Sequence, residues 1–315
     1  MTDVRHIFRS YDIRGIYGKD ITEEVVHGIG NIFAQYYAPD SAVVARDSRL
    51  SGQSLLNSFV NGVINAGKNV INIGEVPISA AMHFSTTNSL PLAYVTASHL
   101  TKEWNGIKFS YSNGHGFLEE DNNKIRDTFL QKKFVSTDFG IDPGKVQEEK
   151  SQTVIELYTR NLASKIKSIA DTKILIDCGS GVTGLVARSA FSSAGFSADV
   201  IFEEPDGNFP NRNSDPITDH LNKLVSSMHE YDIGAAYDGD GDRMVLASKD
   251  GKLRPEQASY VILSELLKVH EGPIVANIDC SLLLNYIAKK LGSQVYLSRV
   301  GHTFIAEAVK KHNAV

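Results

Sequence analysis

The chain has 315 residues, 42% of them hydrophobic and 22% charged, and its 32 basic and 37 acidic residues give a net charge of −5. The length predicts two or three domains, and the balanced charge excludes the basic surface typical of nucleic-acid-binding proteins. No apolar run is long enough to cross a bilayer, the charged opening residues predict no signal segment, and the presence of only two cysteines fits a reducing, cytoplasmic compartment.

Three stretches of the chain share one order of elements: an apolar strand, a polar turn, a helix, a glycine and a second strand. They read SAVVARDSRLSGQSLLNSFVNGVINAGKNVINIG, TKILIDCGSGVTGLVARSAFSSAGFSADVIFEE and GPIVANIDCSLLLNYIAKKLGSQVYLSRVG. Their helices are predicted to end at Gly67, Gly195 and Gly292. Strands rich in Val, Ile and Leu that alternate with helices predict an α/β fold. We expect tandem related α/β domains, with mostly parallel mixed sheets sandwiched by helices.

Arginines near the start of the chain are candidate phosphate ligands. The stretch FRSYDIRGIYG carries Arg9 and Arg14, and ARDSRLSG carries Arg46 and Arg49 before a predicted helix. The planar guanidinium group matches the geometry of phosphate oxygens, although most single arginines are surface charges. Arg14 and the later Arg243, which we place in glycine-bearing loops, are the two strongest candidates.

A serine and a histidine follow the apolar run PLAYV. We interpret PLAYVTASH as a strand that enters a loop, and NGIKFS as a turn followed by a returning strand, which would bring Lys108 beside Ser98. Ser98 and His99 do not form a serine-hydrolase pair, since neighbours in an extended chain point apart and no G-x-S-x-G motif surrounds them. If a metal held a phosphate on Ser98, Lys108 and His99 would be placed for proton transfer.

The stretch CGSGVTG places Gly179, Gly181 and Gly184 as G-x-G-x-x-G between a strand and a helix. Glu203 and Glu204 end the next strand, where a dinucleotide-binding fold has its ribose-binding acid. A Rossmann-type oxidoreductase is therefore an alternative. The equivalent turns of the other two repeats lack these glycines, which favours an ordinary tight turn.

The strongest chemical signal is YDGDGDR, residues 237–243. Asp238, Asp240 and Asp242 alternate with glycines, and three carboxylates this close repel each other unless a cation neutralises them. Hard oxygen ligands favour Mg²⁺ or Ca²⁺. An EF-hand would need glycine at Arg243 and glutamate at Lys249, and a D-x-D-x-T phosphatase would need threonine at 242. The pattern predicts a metal loop of another kind.

The repeats predict three domains, at residues 1–150, 151–252 and 253–315. The third is short, because only 63 residues follow residue 252, and the chain stops within the amphipathic run HTFIAEAVKKHNAV. We therefore expect an incomplete third unit with an apolar face exposed near residues 300–315, through which the chain could form oligomers.

These stretches, in this order and along essentially the whole chain, resemble the α-D-phosphohexomutase family and its phosphomannomutase/phosphoglucomutase branch. FRSYDIRGIYG is similar to the family's amino-terminal segment, TASH with NGIKF to its phosphoserine loop, and DGDGDR to its metal loop. GEVPISA, residues 74–80, resembles the G-x-x-P-T-P link of the first domain. RVGHTFI, residues 299–305, resembles the Gly-His stretch of the third. The serine loop and the metal loop together are a specific combination.

The resemblance implies a Mg²⁺-dependent phosphohexomutase that interconverts hexose 1-phosphate and hexose 6-phosphate, with mannose or glucose as the sugar. It implies that Ser98 carries the phosphoryl group and that hexose 1,6-bisphosphate is the intermediate and activator. The implied metal ligands are Ser98, Asp238, Asp240 and Asp242.

The same resemblance assigns roles to further residues. Lys108 is the expected general acid/base beside His99, and Arg14 and Arg243 are expected to line the phosphoserine site. The expected substrate contacts are Arg299, Gly301 and His302. The implied ligand is a hexose phosphate, and neither a nucleic acid nor a membrane is expected as a partner.

Three departures from the family pattern stand out. Leu100-Thr101 replaces the usual Asn-Pro of the serine loop, and Asp279 stands where this branch usually has a substrate-binding lysine. We also expect the E-x-S-G-H sugar loop and the fourth, phosphate-binding domain to be absent. A dinucleotide-dependent oxidoreductase and a non-catalytic sugar-phosphate-binding descendant of a mutase are the two alternatives.

Overall fold

The computed structural model describes residues 4–135, 141–166 and 171–315, apart from the side chain of His302. It contains two compact units, one ending at Gly251 and one spanning Lys252–Val315. Among the described residues, no helix combines the length and the hydropathy that crossing a membrane requires.

The first sheet has six strands in the order β1-β5-β4-β2-β3-β6. Strand β2 pairs in parallel with β3 and β4, and β3 with β6, whereas β5 runs antiparallel to β1 and β4. The sheet is thus mixed with a parallel centre. Its strands and the neighbouring helices are β1 (Ile13–Ile16), α1 (Glu23–Tyr37), β2 (Ser41–Arg46), α2 (Gly52–Asn65), β3 (Asn69–Glu75), α3 (Ile78–Thr87), β4 (Leu92–Val95), β5 (Trp104–Ser110), α4 (Glu119–Leu130) and β6 (Val146–Glu148).

Helices cover this sheet on both faces. The aromatic rings of Phe33, Phe59, Phe109 and Phe117 pack on the face of α1 and α2, with Phe33 and Phe109 stacked at a centroid distance of 5.1 Å. Helices α1 and α2 approach so closely that a Cβ atom at Gly30 would lie 2.4 Å from the nearest backbone oxygen of α2. A separate cluster around Tyr94 packs under α3 and under the later helix α5 (Ser151–Lys165) on the other face.

The second sheet has five strands in the order β11-β10-β9-β7-β8. Strand β7 pairs in parallel with β8 and β9, and β10 returns antiparallel to β9. The elements of this region are α5 (Ser151–Lys165), β7 (Lys173–Asp177), α6 (Ala187–Ser193), β8 (Ser197–Ile201), α7 (Asn222–Ser227), β9 (Ile233–Tyr237), β10 (Met244–Ser248) and β11 (Gly251–Lys252). The predicted α/β class with mixed sheets between helices is confirmed.

The unit from Lys252 onward contains one parallel pair of strands, β12 and β13. Its elements are α8 (Pro255–Val269), β12 (Ile274–Asn277), α9 (Leu283–Lys290), β13 (Val295–Ser298) and α10 (His302–His312). The most exposed apolar side chains of this unit precede the region predicted for them: Val269 is 75% exposed, Ile278 69% and Leu282 79%. Val300 is the single large hydrophobic residue of 300–315 that is exposed among those described, because α10 turns its apolar side chains toward the strands.

Two local predictions have different outcomes. The helices do end at the predicted glycines, since Gly67, Gly195 and Gly292 follow α2, α6 and α9 with φ of 78°, 83° and 75°. The sequence also predicts that both thiols are packed and inert. Cys178 is buried, and burial raises its pKa to about 12. For Cys280 the prediction is wrong, because this residue lies in an exposed turn after β12.

Candidate active site

The loop between β4 and β5 carries the predicted serine. Ser98 is buried and has a φ of 52°, in the left-handed region that non-glycine residues seldom occupy. Its backbone N–H donates to the Thr96 hydroxyl at 2.8 Å, which holds the loop in this conformation. A buried serine in a strained loop is typical of a functional position rather than of ordinary loop polarity.

The strand that follows this loop differs from the prediction at one point. Asn105 and Gly106 lie within β5 and pair with β1, so they are not a turn. Gly106 is required because a Cβ atom there would lie 2.0 Å from the carbonyl oxygen of Ile13. As predicted, β5 does return beside β4, and it places Lys108 opposite Tyr94 in the antiparallel pair.

The aspartate loop links β9 to β10. Asp238 and Asp240 are buried at 1% and 0% exposure, while Asp242 is exposed. Each offers a carboxylate oxygen, and the three oxygens lie within 4.8 Å of one another. Gly241 has a φ of 81°, which lets the backbone curl and bring the carboxylates together.

The serine loop and the aspartate loop meet. Ser98 Oγ donates a hydrogen bond to Asp238 Oδ2 at 2.6 Å. Lys108 Nζ donates to Asp240 Oδ2 at 2.9 Å and to Asp242 Oδ2 at 2.6 Å. One hydroxyl, one ammonium and three carboxylates from three separate stretches of sequence therefore form a single cluster.

The charges of this cluster are strongly coupled. Burial, and then repulsion from Asp240 and Asp242, raise the pKa of Asp238 to about 8. Burial alone would raise the pKa of Asp240, but the Lys108 ammonium outweighs burial and lowers it. Burial likewise opposes the charge of Lys108, yet Asp240 and Asp242 outweigh it, so the pKa of Lys108 is raised and the side chain is protonated.

The acidic cluster fits a divalent cation. Asp240 Oδ1 is buried and has no hydrogen-bond partner, so this oxygen still lacks the positive partner that a buried carboxylate needs. The donors are all carboxylate oxygens, the ligand type that Mg²⁺ prefers. Lys108 neutralises only part of the negative charge of the three aspartates, and a divalent cation would neutralise the remainder.

Arg14 and Arg243 reach the cluster in different ways. Arg14 lies within β1 and not in a loop, where its buried side chain pairs with Asp12 at 2.9 Å and donates to the carbonyl oxygen of Thr96. Arg243 has an exposed side chain, and its backbone N–H donates to Asp238 Oδ1 at 3.1 Å. Burial and, next, the charge of Arg243 lower the pKa of His99, whose buried Nδ1 has no partner.

The glycine-rich turn of residues 179–184 is packed against protein and has no space for a pyrophosphate. A Cβ atom would lie 2.4 Å from the guanidinium group of Arg212 at Gly179, 2.9 Å from the metal-loop backbone at Gly181 and 1.7 Å from the Glu203 carbonyl at Gly184. The Glu203 side chain pairs with Arg188 at 2.7 Å. The dinucleotide-binding alternative therefore loses its structural basis.

Arg49 contributes to the site in a way that the sequence did not indicate. Its side chain is fully buried and pairs with Asp47 at 3.1 Å. The remaining N–H groups donate to three carbonyl oxygens of the serine loop, those of Ser98, Leu100 and Thr101, and to that of Trp104 at the start of β5. All its donors are thus used on protein, so Arg49 holds the serine loop instead of binding phosphate. The ARDSRLSG pattern shows a charged turn but not which loop folds over it.

We expect Arg49→Met to lower the free energy of unfolding by about 3 to 5 kcal/mol, because Asp47 and the four carbonyl groups lose their donor. Chemical unfolding followed by the fluorescence of Trp104, the single tryptophan, measures the loss. Arg46→Met is the matched control, since its pair with Glu75 is partly exposed and is worth about 1 kcal/mol or less. Equal losses in the two variants would contradict a special role for Arg49.

The predicted substrate contacts, Arg299, Gly301 and His302, lie in the second unit between the end of β13 and the start of α10. The guanidinium group of Arg299 lies 4.0 Å from the ring centroid of Phe304. Gly301 precedes α10 with a φ of 137°, and His302 begins that helix with its side chain outside the described part. Asp279 is exposed. The roles of Arg299, Gly301 and His302 stay predictions.

Comparison with known proteins gives one consistent result. Residues 5–136, 156–251 and 254–315 match the phosphoglucomutase/phosphomannomutase alpha/beta/alpha domains I, II and III. The chain is 30% identical to phosphomannomutase/phosphoglucomutase of Pseudomonas putida, with 97% of this chain and 66% of the relative covered. It is also 30% identical to phosphoglucomutase of Neisseria gonorrhoeae, with 99% and 68% covered.

A solved structure agrees with these sequences. A phosphoglucomutase/phosphomannomutase family protein from Burkholderia thailandensis superimposes with a TM-score of 0.85 at 28% identity, over 98% of this chain and 69% of that one. The chain thus spans about two thirds of the length of these relatives.

Proposed function

Because this chain belongs to the phosphoglucomutase/phosphomannomutase family, we propose that it interconverts hexose 1-phosphate and hexose 6-phosphate through a phosphoserine at Ser98. The observation that carries this proposal is the 2.6 Å hydrogen bond between Ser98 Oγ and Asp238 Oδ2 inside the acidic cluster. A serine hydroxyl held there is placed to carry an anionic group opposite a cation.

Mg²⁺ would be held by Asp238, Asp240 and Asp242, with an oxygen of phosphorylated Ser98 completing the set. When bound, it supplies positive charge that offsets the negative charge developing on a phosphoryl group in transfer.

The transfer itself conserves phosphate. The free hydroxyl of a hexose monophosphate attacks phosphorus on Ser98, so a sugar O–P bond forms and the Ser98 Oγ–P bond breaks. The products are a hexose 1,6-bisphosphate and the free serine. After the bisphosphate turns around, Ser98 Oγ takes the other phosphoryl group and the isomeric monophosphate leaves. One hydroxyl proton is lost and one gained in each half, so the cycle is balanced.

Lys108, Arg14 and His99 have distinct parts in this scheme. Protonated Lys108, which is 14% exposed and donates to Asp240 and Asp242, would return a proton to the leaving oxygen. Buried Arg14, bound to the Thr96 carbonyl, orients the loop that carries Ser98. His99, with its pKa lowered by burial, is neutral near pH 7, and its unpartnered Nδ1 is available for a hydrogen bond.

The test is turnover of glucose 1-phosphate and mannose 1-phosphate, assayed with Mg²⁺ and a trace of the hexose 1,6-bisphosphate, together with the intact mass of the protein. We expect turnover and one phosphate on the chain, and the ratio of the two rates would identify the preferred sugar. A phosphate on Ser98 without turnover would reduce the proposal to the step in which Ser98 Oγ accepts a phosphoryl group. Neither turnover nor phosphate would contradict it and favour a non-catalytic sugar-phosphate-binding protein.

A further inference from the structure

One buried arginine connects strand β7 to strand β9, which leads into the aspartate loop. Strands β7 and β9 are neighbours, with Asp177 paired to Ala236. Arg212 Nε donates to Asp177 Oδ1 at 2.9 Å, and Arg212 Nη2 donates to the carbonyl oxygen of Tyr237 at 2.6 Å. Because Tyr237 directly precedes Asp238, Arg212 fixes the point at which the aspartate loop leaves the sheet.

The glycine-rich turn after β7 supports the same loop. Gly179 leaves the space that the guanidinium group of Arg212 fills, and Gly181 lies against the carbonyl oxygens of Asp238 and Gly239. The backbone N–H of Val182 donates to the Gly239 carbonyl oxygen at 3.2 Å. The glycines that resemble a dinucleotide fingerprint thus admit Arg212 and the aspartate loop in place of a ligand.

The segment that carries Arg212 also contacts the serine loop. The ring of Phe209 lies 5.3 Å from the guanidinium carbon of Arg49, and Ser214 Oγ lies 2.9 Å from the carbonyl oxygens of both His99 and Leu100. Residues 209–214 therefore bind the two loops of the site together, with Arg212 at the aspartate loop.

We propose that Arg212 is a positioning residue that sets the Mg²⁺ affinity of the aspartate loop, an inference that rests on the proposed function. Three carboxylates held close repel, and a loop free to relax would spread them apart. Mg²⁺ demands near-ideal octahedral geometry, so a spread loop binds it weakly. Arg212 opposes that relaxation from outside the ligand set, as partners of metal ligands commonly do.

The experiment measures Mg²⁺ binding by isothermal titration calorimetry and, separately, chemical unfolding in EDTA. We expect Arg212→Met to raise the dissociation constant for Mg²⁺ by about 10- to 100-fold. Arg212→Lys retains a charge for Asp177 but lacks the planar fork with which separate nitrogens of Arg212 bond to Asp177 and Tyr237, so we expect near-wild-type stability with a several-fold weaker affinity. Arg188→Met is the control, since its pair with Glu203 is on the surface and should leave Mg²⁺ binding unchanged.

If Arg212→Met does not fold, the double variant Asp177→Leu, Arg212→Met removes both buried charges together, which is often tolerated. It should show the same weakened Mg²⁺ binding. Wild-type affinity in folded Arg212 variants would overturn the inference and leave the proposed function standing. A loss of binding no larger than the unfolded fraction would likewise reduce Arg212 to a structural role. Absence of Mg²⁺ binding by the wild-type protein would overturn both.

Discussion

Replacing Ser98 by alanine is expected to lower hexose phosphate turnover at least about a thousandfold and to leave the protein without a phosphate. The hydroxyl oxygen, Oγ, is the atom that would form and break the bond to phosphorus. It lies 2.6 Å from Asp238 Oδ2. Turnover in the same assay with and without the hexose 1,6-bisphosphate, together with intact mass, measures both effects.

Two further variants, one at Ser98 and one at another buried serine, separate the role of the Ser98 hydroxyl from effects on folding. Ser98 has a φ of 52°, which glycine adopts readily and alanine does not, so Ser98→Gly relieves the strain without restoring the hydroxyl. We expect Ser98→Gly to be as inactive as Ser98→Ala while unfolding at a denaturant concentration at least as high. Ser110→Ala, a buried serine at the end of β5, should retain turnover. Activity in either Ser98 variant would exclude the phosphoserine mechanism.

Lys108→Met is expected to have two large effects. Without a divalent cation, Asp240 and Asp242 lose the ammonium that neutralises them, so the free energy of unfolding should fall by about 3 kcal/mol or more. Turnover should fall by about 10²- to 10⁴-fold, because the general acid is missing.

Mg²⁺ should stabilise Lys108→Met more than it stabilises the wild-type protein. In the wild-type protein the Lys108 ammonium already neutralises part of the charge of the aspartates. In the variant only the cation can do so. Because the cation binds the folded state preferentially, it raises the stability of the folded protein. Thermal unfolding in EDTA and in saturating Mg²⁺ measures this difference. Lys102→Met, an exposed lysine of the same loop region, is the control. An equal Mg²⁺ shift in both variants would contradict competition between Lys108 and the cation.

The sequence alone determined the fold class and identified the serine, lysine and aspartates that the candidate site brings together. Alternating apolar strands and helices that end at Gly67, Gly195 and Gly292 are local patterns, and the structure has them where predicted. The aspartates are spaced so closely that their repulsion is evident in the one-dimensional pattern. Ser98 and Lys108 are likewise close in sequence, because the loop after β4 carries Ser98 and the returning strand β5 carries Lys108.

Only the tertiary structure decided which distant residues complete the site. No local pattern in the sequence shows that Ser98 meets Asp238, and only the family resemblance implies that they do. Their hydrogen bond forms because tertiary packing brings together two loops that are far apart in the chain. For the same reason the sequence predicts Arg49 only as a candidate phosphate ligand and does not predict a role for Arg212 at all. Each is buried, and each donates to a backbone carbonyl of a site loop or of the strand that leads into it. The sequence wrongly predicts Gly106 as part of a turn. For the glycines of residues 179–184 it favours an ordinary tight turn, with a dinucleotide-binding site as the alternative. Their requirement for small size comes from neighbours far away in the chain, and only the packed structure brings those neighbours within contact distance.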